Sequence, residues 1–396
     1  MKEEKVMKEI YLDNASTTKP LKQVADAVAD IMINIYGNPS SLHKKGIEAE
    51  TIIKNASVFL AKVLGCAQDE MIYTSGGTES NNMAIIGTSL AYRRRGNKII
   101  TTAIEHPSVL EPFKYLKSQG FEICMIPVSK EGYIDLEALE EAIDEQTILV
   151  SIMHVNNEIG TVQPLEQIGT LIKQKHKETL FHVDAVQSFS KIPIHVKKDK
   201  IDLLSVSAHK FYGPRGIGFL YKSKQVRLNP LIYGGGQQKD LRSGTENTPG
   251  IAGMLEACKY VTENKKQINA EYLDAKTYLA NEILAHIPDT FINGPSVSQG
   301  APHILNIGFR NVRAEVLLHA LEHNGIYVSS GSACASNKKS HSHALMAIGN
   351  HKDDFDNAIR FSFGLDITKE DLDNTLQVLK EQVALLRRYT LGGKQR

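Results

Sequence analysis

From about residue 50 to 225, short apolar runs alternate with stretches whose apolar residues recur every three or four positions. Met71–Thr74, Ile99–Ile104, Phe121–Val128, Ile148–Val155, Leu180–Val183, Leu203–Val206 and Ile217–Tyr221 read as strands. Ile148–Val155 is apolar at nearly every position, as a parallel strand covered on both faces must be. Ser80–Arg94 reads as helix, and Ile168, Leu171 and Ile172 share one face of another. This alternation predicts an α/β fold with a mostly parallel sheet flanked by helices. Ligands of such sheets gather at the carboxyl ends of the strands.

The last third has a different pattern. Residues 250–285 read as long helix, and Ile304–Phe309 and Ile359–Phe363 as strands. A capping box, Thr368-x-x-Asp371, opens a final helix whose Leu372, Leu376, Leu379, Val383 and Leu386 step by four and three. Two units follow: a large α/β domain over 16–262, and a smaller α+β domain made of 1–15 and 263–396.

Bulk properties narrow the function. The chain has 396 residues, 42% apolar and 23% charged, the make-up of a soluble globular protein. A net charge of +1 gives no electrostatic argument for nucleic acid or an anionic membrane. Met1–Ile10 is charged and lacks the apolar core of a signal peptide, and no apolar run is long enough to span a bilayer. A cytoplasmic protein is expected. None of the four cysteines forms a C-x-x-C pair. Cys66, Cys124 and Cys258 lie in apolar contexts and read as buried small hydrophobes.

Lys210 closes one apolar run, in Ser207-Ala208-His209-Lys210, and Asp184 closes another. A lysine and a carboxylate at strand mouths meet the needs of pyridoxal phosphate. The amine forms an imine with the aldehyde, and the carboxylate keeps the pyridine nitrogen protonated. Thr74-Ser75-Gly76-Gly77-Thr78 joins a strand to a helix and reads as a phosphate cradle. Tyr212-Gly213-Pro214-Arg215-Gly216 leads into a strand and reads as a turn. His106, Asn157 and Gln187 sit at further strand ends, where they can meet a flat ring. Alone, Lys210, Asp184 or His106 reads more readily as an ordinary structural side chain, and the case rests on what surrounds them. Cys334 lies among small polar residues, Gly331-Ser332-Ala333-Cys334-Ala335-Ser336, with Lys338, Lys339, His341 and His343 nearby. That setting predicts an exposed thiol biased toward thiolate. His341-x-His343 has no evident third ligand, so no metal site is expected.

Together these segments resemble the cysteine desulfurases of the NifS/IscS type, within the class V (fold type I) pyridoxal-phosphate-dependent aminotransferase superfamily. The resemblance runs from Tyr11-Leu12-Asp13-Asn14-Ala15 to Arg360-Phe361-Ser362. It includes Gly37-Asn38-Pro39-Ser40-Ser41-Leu42-His43 and Arg242-Ser243-Gly244-Thr245-Glu246-Asn247. It implies that Lys210 carries the cofactor and moves protons, that His106 stacks on the ring as acid–base catalyst, and that Asp184 pairs with the ring nitrogen. Gln187 and Asn157 then reach the ring oxygen, and Gly77, Thr78, Ser207 and His209 hold the phosphate. Thr245 completes the phosphate site of the partner subunit, so a homodimer is implied. Arg360, helped by Asn157, binds the carboxylate of L-cysteine. Cys334 takes the substrate sulfur as a persulfide, releases alanine, and hands sulfur to acceptor proteins such as iron–sulfur scaffolds or tRNA and cofactor thiolation enzymes. The resemblance implies no direct contact with nucleic acid. The stretch Lys339-Ser340-His341-Ser342-His343 departs from the pattern by lacking a proline before the Ser-His pair. Two alternatives stay open: a selenocysteine lyase or other class V enzyme, which needs no loop cysteine, and an inactive sulfur-transfer scaffold.

Overall fold

A computed structural model describes residues 8–330, 342–349 and 354–392. After the two-residue strand β1 (Ile10–Tyr11), seven strands build the main sheet: β2 (Met71–Thr74), β3 (Lys98–Thr102), β4 (Glu122–Ile126), β5 (Thr147–Met153), β6 (Leu180–Asp184), β7 (Leu203–Ser207) and β8 (Gly218–Lys222). Their spatial order is β2-β8-β7-β6-β5-β3-β4. Every residue of β5, β6 and β7 is buried, which explains their mostly apolar character; the polar Ser151, His182 and Ser205 among them bond to one another.

The sheet is parallel from β7 to β4, but β8 runs antiparallel to both its neighbours. The physical reason is the connection. Residues 208–217 link β7 to β8, too short a stretch for a crossover helix, so the chain must turn back. Tyr212 in that turn adopts a left-handed backbone, φ 69°. Because β8 reverses, β2 points the same way as β7, and its end opens on the same edge of the sheet.

Four further strands, β9 (Thr290–Ile292), β10 (Ile304–Phe309), β12 (Ser329–Ser330) and β13 (Ala358–Ser362), make an antiparallel sheet in the order β12-β13-β10-β9. β11 (Ile326–Tyr327) pairs with β1 in parallel. The N-terminal segment then links the two sheets. Leu12 and Ala15 bond to Ser362 of β13, while Thr18 bonds to the His209 carbonyl beyond β7.

Two helices differ from expectation. The helix after β2 begins at Gly77, earlier than Ser80, and runs through a π-turn at Met83–Gly87 to Tyr92. Gly76 at its mouth has φ 149°, and a Cβ on Gly77 would stand 2.6 Å from Val186 Cγ2, so glycine is required for this approach. The single helix expected over 250–285 is two, Thr248–Glu263 and Lys265–His286. They break at Asn264, whose backbone and side-chain N–H groups both donate to the Tyr260 carbonyl. The proposed domain boundary at 262/263 falls beside this break. The Thr368–Asp371 box caps the last helix through reciprocal hydrogen bonds.

Candidate active site

The carboxyl ends of β2, β5, β6 and β7 converge on a cavity of about 250 Å³. Gly77, Thr78, His106, Asn157, Asp184, Gln187, Ser207, His209, Lys210 and Arg360 all line it. Thr245 does not, and it is exposed. Cys334, with Lys338, Lys339 and His341, lies outside the described residues. Of the other cysteines, Cys258 is buried, but Cys66 and Cys124 are only partly so, a correction to the expectation of three core thiols. Cys66 follows the C-cap Gly65 of the helix Lys44–Leu64, and Cys124 sits in β4, the edge strand of the main sheet, where cover is incomplete. Burial nonetheless pushes Cys66 up to about 12 and Cys258 to about 11, and raises Cys124.

Lys210 Nζ donates to the carbonyls of Ala15 and Ser16, both at 2.7 Å. Gln187 Nε2 donates to the same Ala15 carbonyl at 2.8 Å, and its Oε1 is buried without a protein partner. The Asp184 carboxylate accepts from Asn81 Nδ2 at 2.7 Å and from the Val186 backbone N–H at 2.9 Å. His106 is the N-cap of the helix Pro107–Ser118, with Nδ1 accepting from the Ser108 N–H. Burial lowers its pKa; Asp184 opposes this, while Lys210 and His343 add to it. His209 is driven down to about 4, first by burial and then by Lys210, Arg215 and Lys191, so its ring is neutral at pH 7.

Arg360 is 4% exposed yet reaches the cavity from the small sheet. Its Nη1 donates to the Asn157 carbonyl at 2.8 Å, and Nη2 to Asp13 Oδ1 and Ser16 Oγ, each at 2.7 Å. Its Nε is buried without a protein partner. Two buried glutamates lie close by. Glu105 is pushed up to about 8 by burial, against the hydrogen bonds from Thr102 and Met153. Glu158, raised chiefly by burial, accepts from Ser342 Oγ at 2.5 Å. His343 Nε2 donates to the Glu105 carbonyl at 2.7 Å.

Several of these residues were not anticipated: Asn81, Ser108, Asp13, Ser16, Glu105 and Glu158. A faint signal existed for Asn81, which falls one helical turn after Gly77, where an apolar residue is the norm. Asp13 and Ser16 gave none, because their meaning depends on Arg360, some 350 residues away.

The residues present fit pyridoxal phosphate. An amine, a hydrogen-bonded carboxylate and an imidazole face one cavity, the Gly76-Gly77-Thr78 turn closes it on one side, and Gln187 Oε1 and Arg360 Nε are buried polar atoms that the protein itself leaves without partners. A sequence profile of the class-V aminotransferases matches residues 10–375. A protein of Dictyoglomus turgidum named cysteine desulfurase IscS is 44% identical, covering 96% of each chain. The chain belongs to the class-V aminotransferases, in their NifS/IscS cysteine desulfurase group. The solved structure of a NifS-like protein superposes with a TM-score of 0.90 at 38% identity, covering 96% of this chain and all of that one. A solved structure titled SspA in complex with cysteine is 33% identical with a TM-score of 0.78, covering 89% of this chain and 98% of that one. Members of this family depend on pyridoxal phosphate. Among the described residues no helix is long and apolar enough to cross a membrane, and no cluster of metal-ligating side chains occurs.

Proposed function

We propose how this cysteine desulfurase divides its labour among its own residues. Asp184 and His106 bracket the pyridine ring, Gln187 and Asn157 meet its oxygen, and Gly77, Thr78, Ser207 and His209 hold the phosphate. The bound cofactor supplies an electron sink for the α-carbon of L-cysteine. Arg360 binds the substrate carboxylate through its guanidinium, whose Nε has no partner among the described residues. Lys210 Nζ, aimed by the Ala15 and Ser16 carbonyls, anchors the cofactor and then moves the α-proton. The Cys334 thiolate attacks the substrate sulfur. The C–S bond breaks, an S–S bond forms, a persulfide remains on Cys334, and the carbon skeleton takes protons to leave as alanine. Acceptor proteins then collect the sulfur.

The observation that carries this reading is the meeting of Lys210, Asp184, His106 and Arg360 around one cavity from two different sheets. The relative solved with cysteine supports the choice of substrate. A homodimer is part of the proposal. Thr245 stands exposed and away from its own cavity, and Met32, Ile33, Tyr36, Leu42 and Tyr233 are exposed large apolar side chains suited to a subunit interface. Cytoplasmic location is also proposed.

The test is incubation with L-cysteine and a reductant, with alanine and sulfide measured together. Equal, many-turnover yields are expected, and Cys334→Ala should keep the yellow cofactor yet release no alanine. Normal alanine release by Cys334→Ala would remove that thiol from the mechanism and favour a lyase.

A further inference from the structure

A fully buried polar side chain behind the cavity, in contact with Asp184 and Ser108, has no task in the mechanism. Asn81 is 0% exposed and stands on the helix that follows the Gly76-Gly77 turn. Its Nδ2 donates to Asp184 Oδ2 at 2.7 Å and to Ser108 Oγ at 2.9 Å. Ser108 Oγ is in turn 2.8 Å from His106 Nδ1, and the Ser108 backbone N–H points at the same nitrogen from 3.1 Å. Asn81 Oδ1 is buried with no partner among the described residues.

Hydrogen-bond chemistry settles the direction of each link. A carboxylate without a proton only accepts, so the atom facing Asp184 must be the amide nitrogen. Both of its hydrogens are then used, one on Asp184 and one on Ser108 Oγ. The Ser108 backbone N–H points at Nδ1, which makes that nitrogen an acceptor, so across the 2.8 Å contact the Ser108 hydroxyl is the donor. The single lone pair of Nδ1 is then shared by the Ser108 N–H and hydroxyl. The proton of the neutral ring therefore sits on Nε2. The orphaned Oδ1 sharpens the point. A side chain retained for packing alone would not strand a carbonyl oxygen in the interior, and leucine would fill the same space without doing so. The amide is kept for its two donors.

We infer that Asn81 is a positioning residue that ties Asp184 to His106 through Ser108, so that one side chain orients the carboxylate and also reinforces, through the Ser108 hydroxyl, the His106 tautomer that the Ser108 N–H favours. The inference rests on the roles proposed above for Asp184 and His106. The groups facing His106 are Asp184, Lys210 and His343, together with Ser108 on its own helix. Putting a proton on Nδ1 would set it against the Ser108 N–H and the Asn81-oriented hydroxyl. The relay therefore acts in the same direction as burial in keeping the ring neutral.

The experiment compares Asn81→Leu and Ser108→Ala with the parent chain. Leu keeps the branched shape at greater bulk and removes both donors; Ala cuts only the hydroxyl arm to His106. ¹⁵N-histidine NMR, with His106→Gln to assign the ring signal, reads the tautomer in the full chain with and without pyridoxal phosphate. The cofactor's visible absorbance reads the Asp184 side, and the pH profile of kcat/KM for L-cysteine reads the ring in use. The parent should show Nε2–H only. Asn81→Leu should give a mixed tautomer, a shifted cofactor band, an acid limb moved up toward the ordinary histidine value, and kcat lower by roughly 10–100-fold with KM little changed. Ser108→Ala keeps the backbone N–H on Nδ1, so it should shift the tautomer only in part and move the acid limb, leaving the cofactor band in place. Parent tautomer, band and profile retained in a folded Asn81→Leu protein would overturn the inference and leave the desulfurase reading intact. A parent that makes no alanine would overturn the functional reading, while the tautomer comparison would still decide the role of Asn81. If Asn81→Leu fails to fold, an unchanged tautomer and pH profile in Ser108→Ala would also overturn it.

Discussion

The two sheets contribute to the site in different ways. The main sheet delivers a residue at almost every carboxyl strand end it presents: the Gly77 turn after β2, His106 shortly after β3, Asn157 after β5, Asp184 at the end of β6, and Lys210 after β7. Each is placed by the covalent chain within a few residues of a buried strand, and the parallel ladder fixes the spacing. The small antiparallel sheet delivers one cavity residue, Arg360, from the middle of β13. Its aim depends on Asp13, Ser16 and Asn157, none of them near it in sequence. One region builds a site by repetition of a topological rule, and the other by a single long-range network. The first tolerates local change around a fixed frame, whereas the second fails when any one partner goes.

Lys210→Ala gives the largest expected effect. It should abolish the reducible cofactor imine and lower kcat by about a thousandfold or more, since both anchor and proton carrier are lost. Thermal stability should change little, because the main sheet does not depend on that amine. Arg360→Lys should act through KM for L-cysteine, raising it about tenfold to a hundredfold, because an ammonium cannot reproduce the planar fork. It should also destabilise the chain by about 2 kcal/mol by leaving buried acceptors short of donors. Denaturant melts of the two variants side by side test the comparison directly; equal stability losses would erase it.

Protonation separates the regions further. His182, in β6 of the main sheet, bridges Ser151 and Ser205, and burial drives it down to about 3. An unfolded chain takes up that proton below about 6.5 while the folded one refuses it, so stability falls as pH drops through this window. Loss of about 2 kcal/mol by pH 5 is expected from this group, and His182→Gln should flatten the acid limb of a Tm–pH curve. Lys276, on the helix Lys265–His286 beside the small sheet, donates to the Ala301 carbonyl at 3.0 Å, and burial lowers it to about 8. Between about pH 8 and 10.5 the unfolded state holds more protons, so stability rises with pH. Lys276→Met should remove that rise, an effect of about 1–3 kcal/mol across the window. A variant that left the alkaline limb unchanged would show that Lys276 is solvated.

Ser342→Ala gives the smallest expected change. It removes a donor to the buried Glu158 and the cap of the short helix His343–Ala347. A loss of about 1 kcal/mol in stability is expected, with cofactor absorbance untouched.

Strand runs, the glycine turn and the residues at strand mouths were legible in the sequence. A fully buried parallel strand must be apolar throughout, and its end must carry whatever chemistry the sheet performs. Lys210 and Asp184 stood out as candidates on that ground, and the motifs around them made the case. The break at Asn264 was not legible, because helical periodicity persists across it and only a local capping bond ends the first helix. Nor was the reversal of β8, which follows from the length of one connection. What only the tertiary structure decided is which distant groups face each other. Asp13 with Arg360, Asn81 between Asp184 and Ser108, and the Ala15 carbonyl shared by Lys210 and Gln187 are pairings across 27 to 347 residues. Local patterns record how a segment meets solvent and core. They carry no term for a partner that reaches the same point only after the sheets have closed around it.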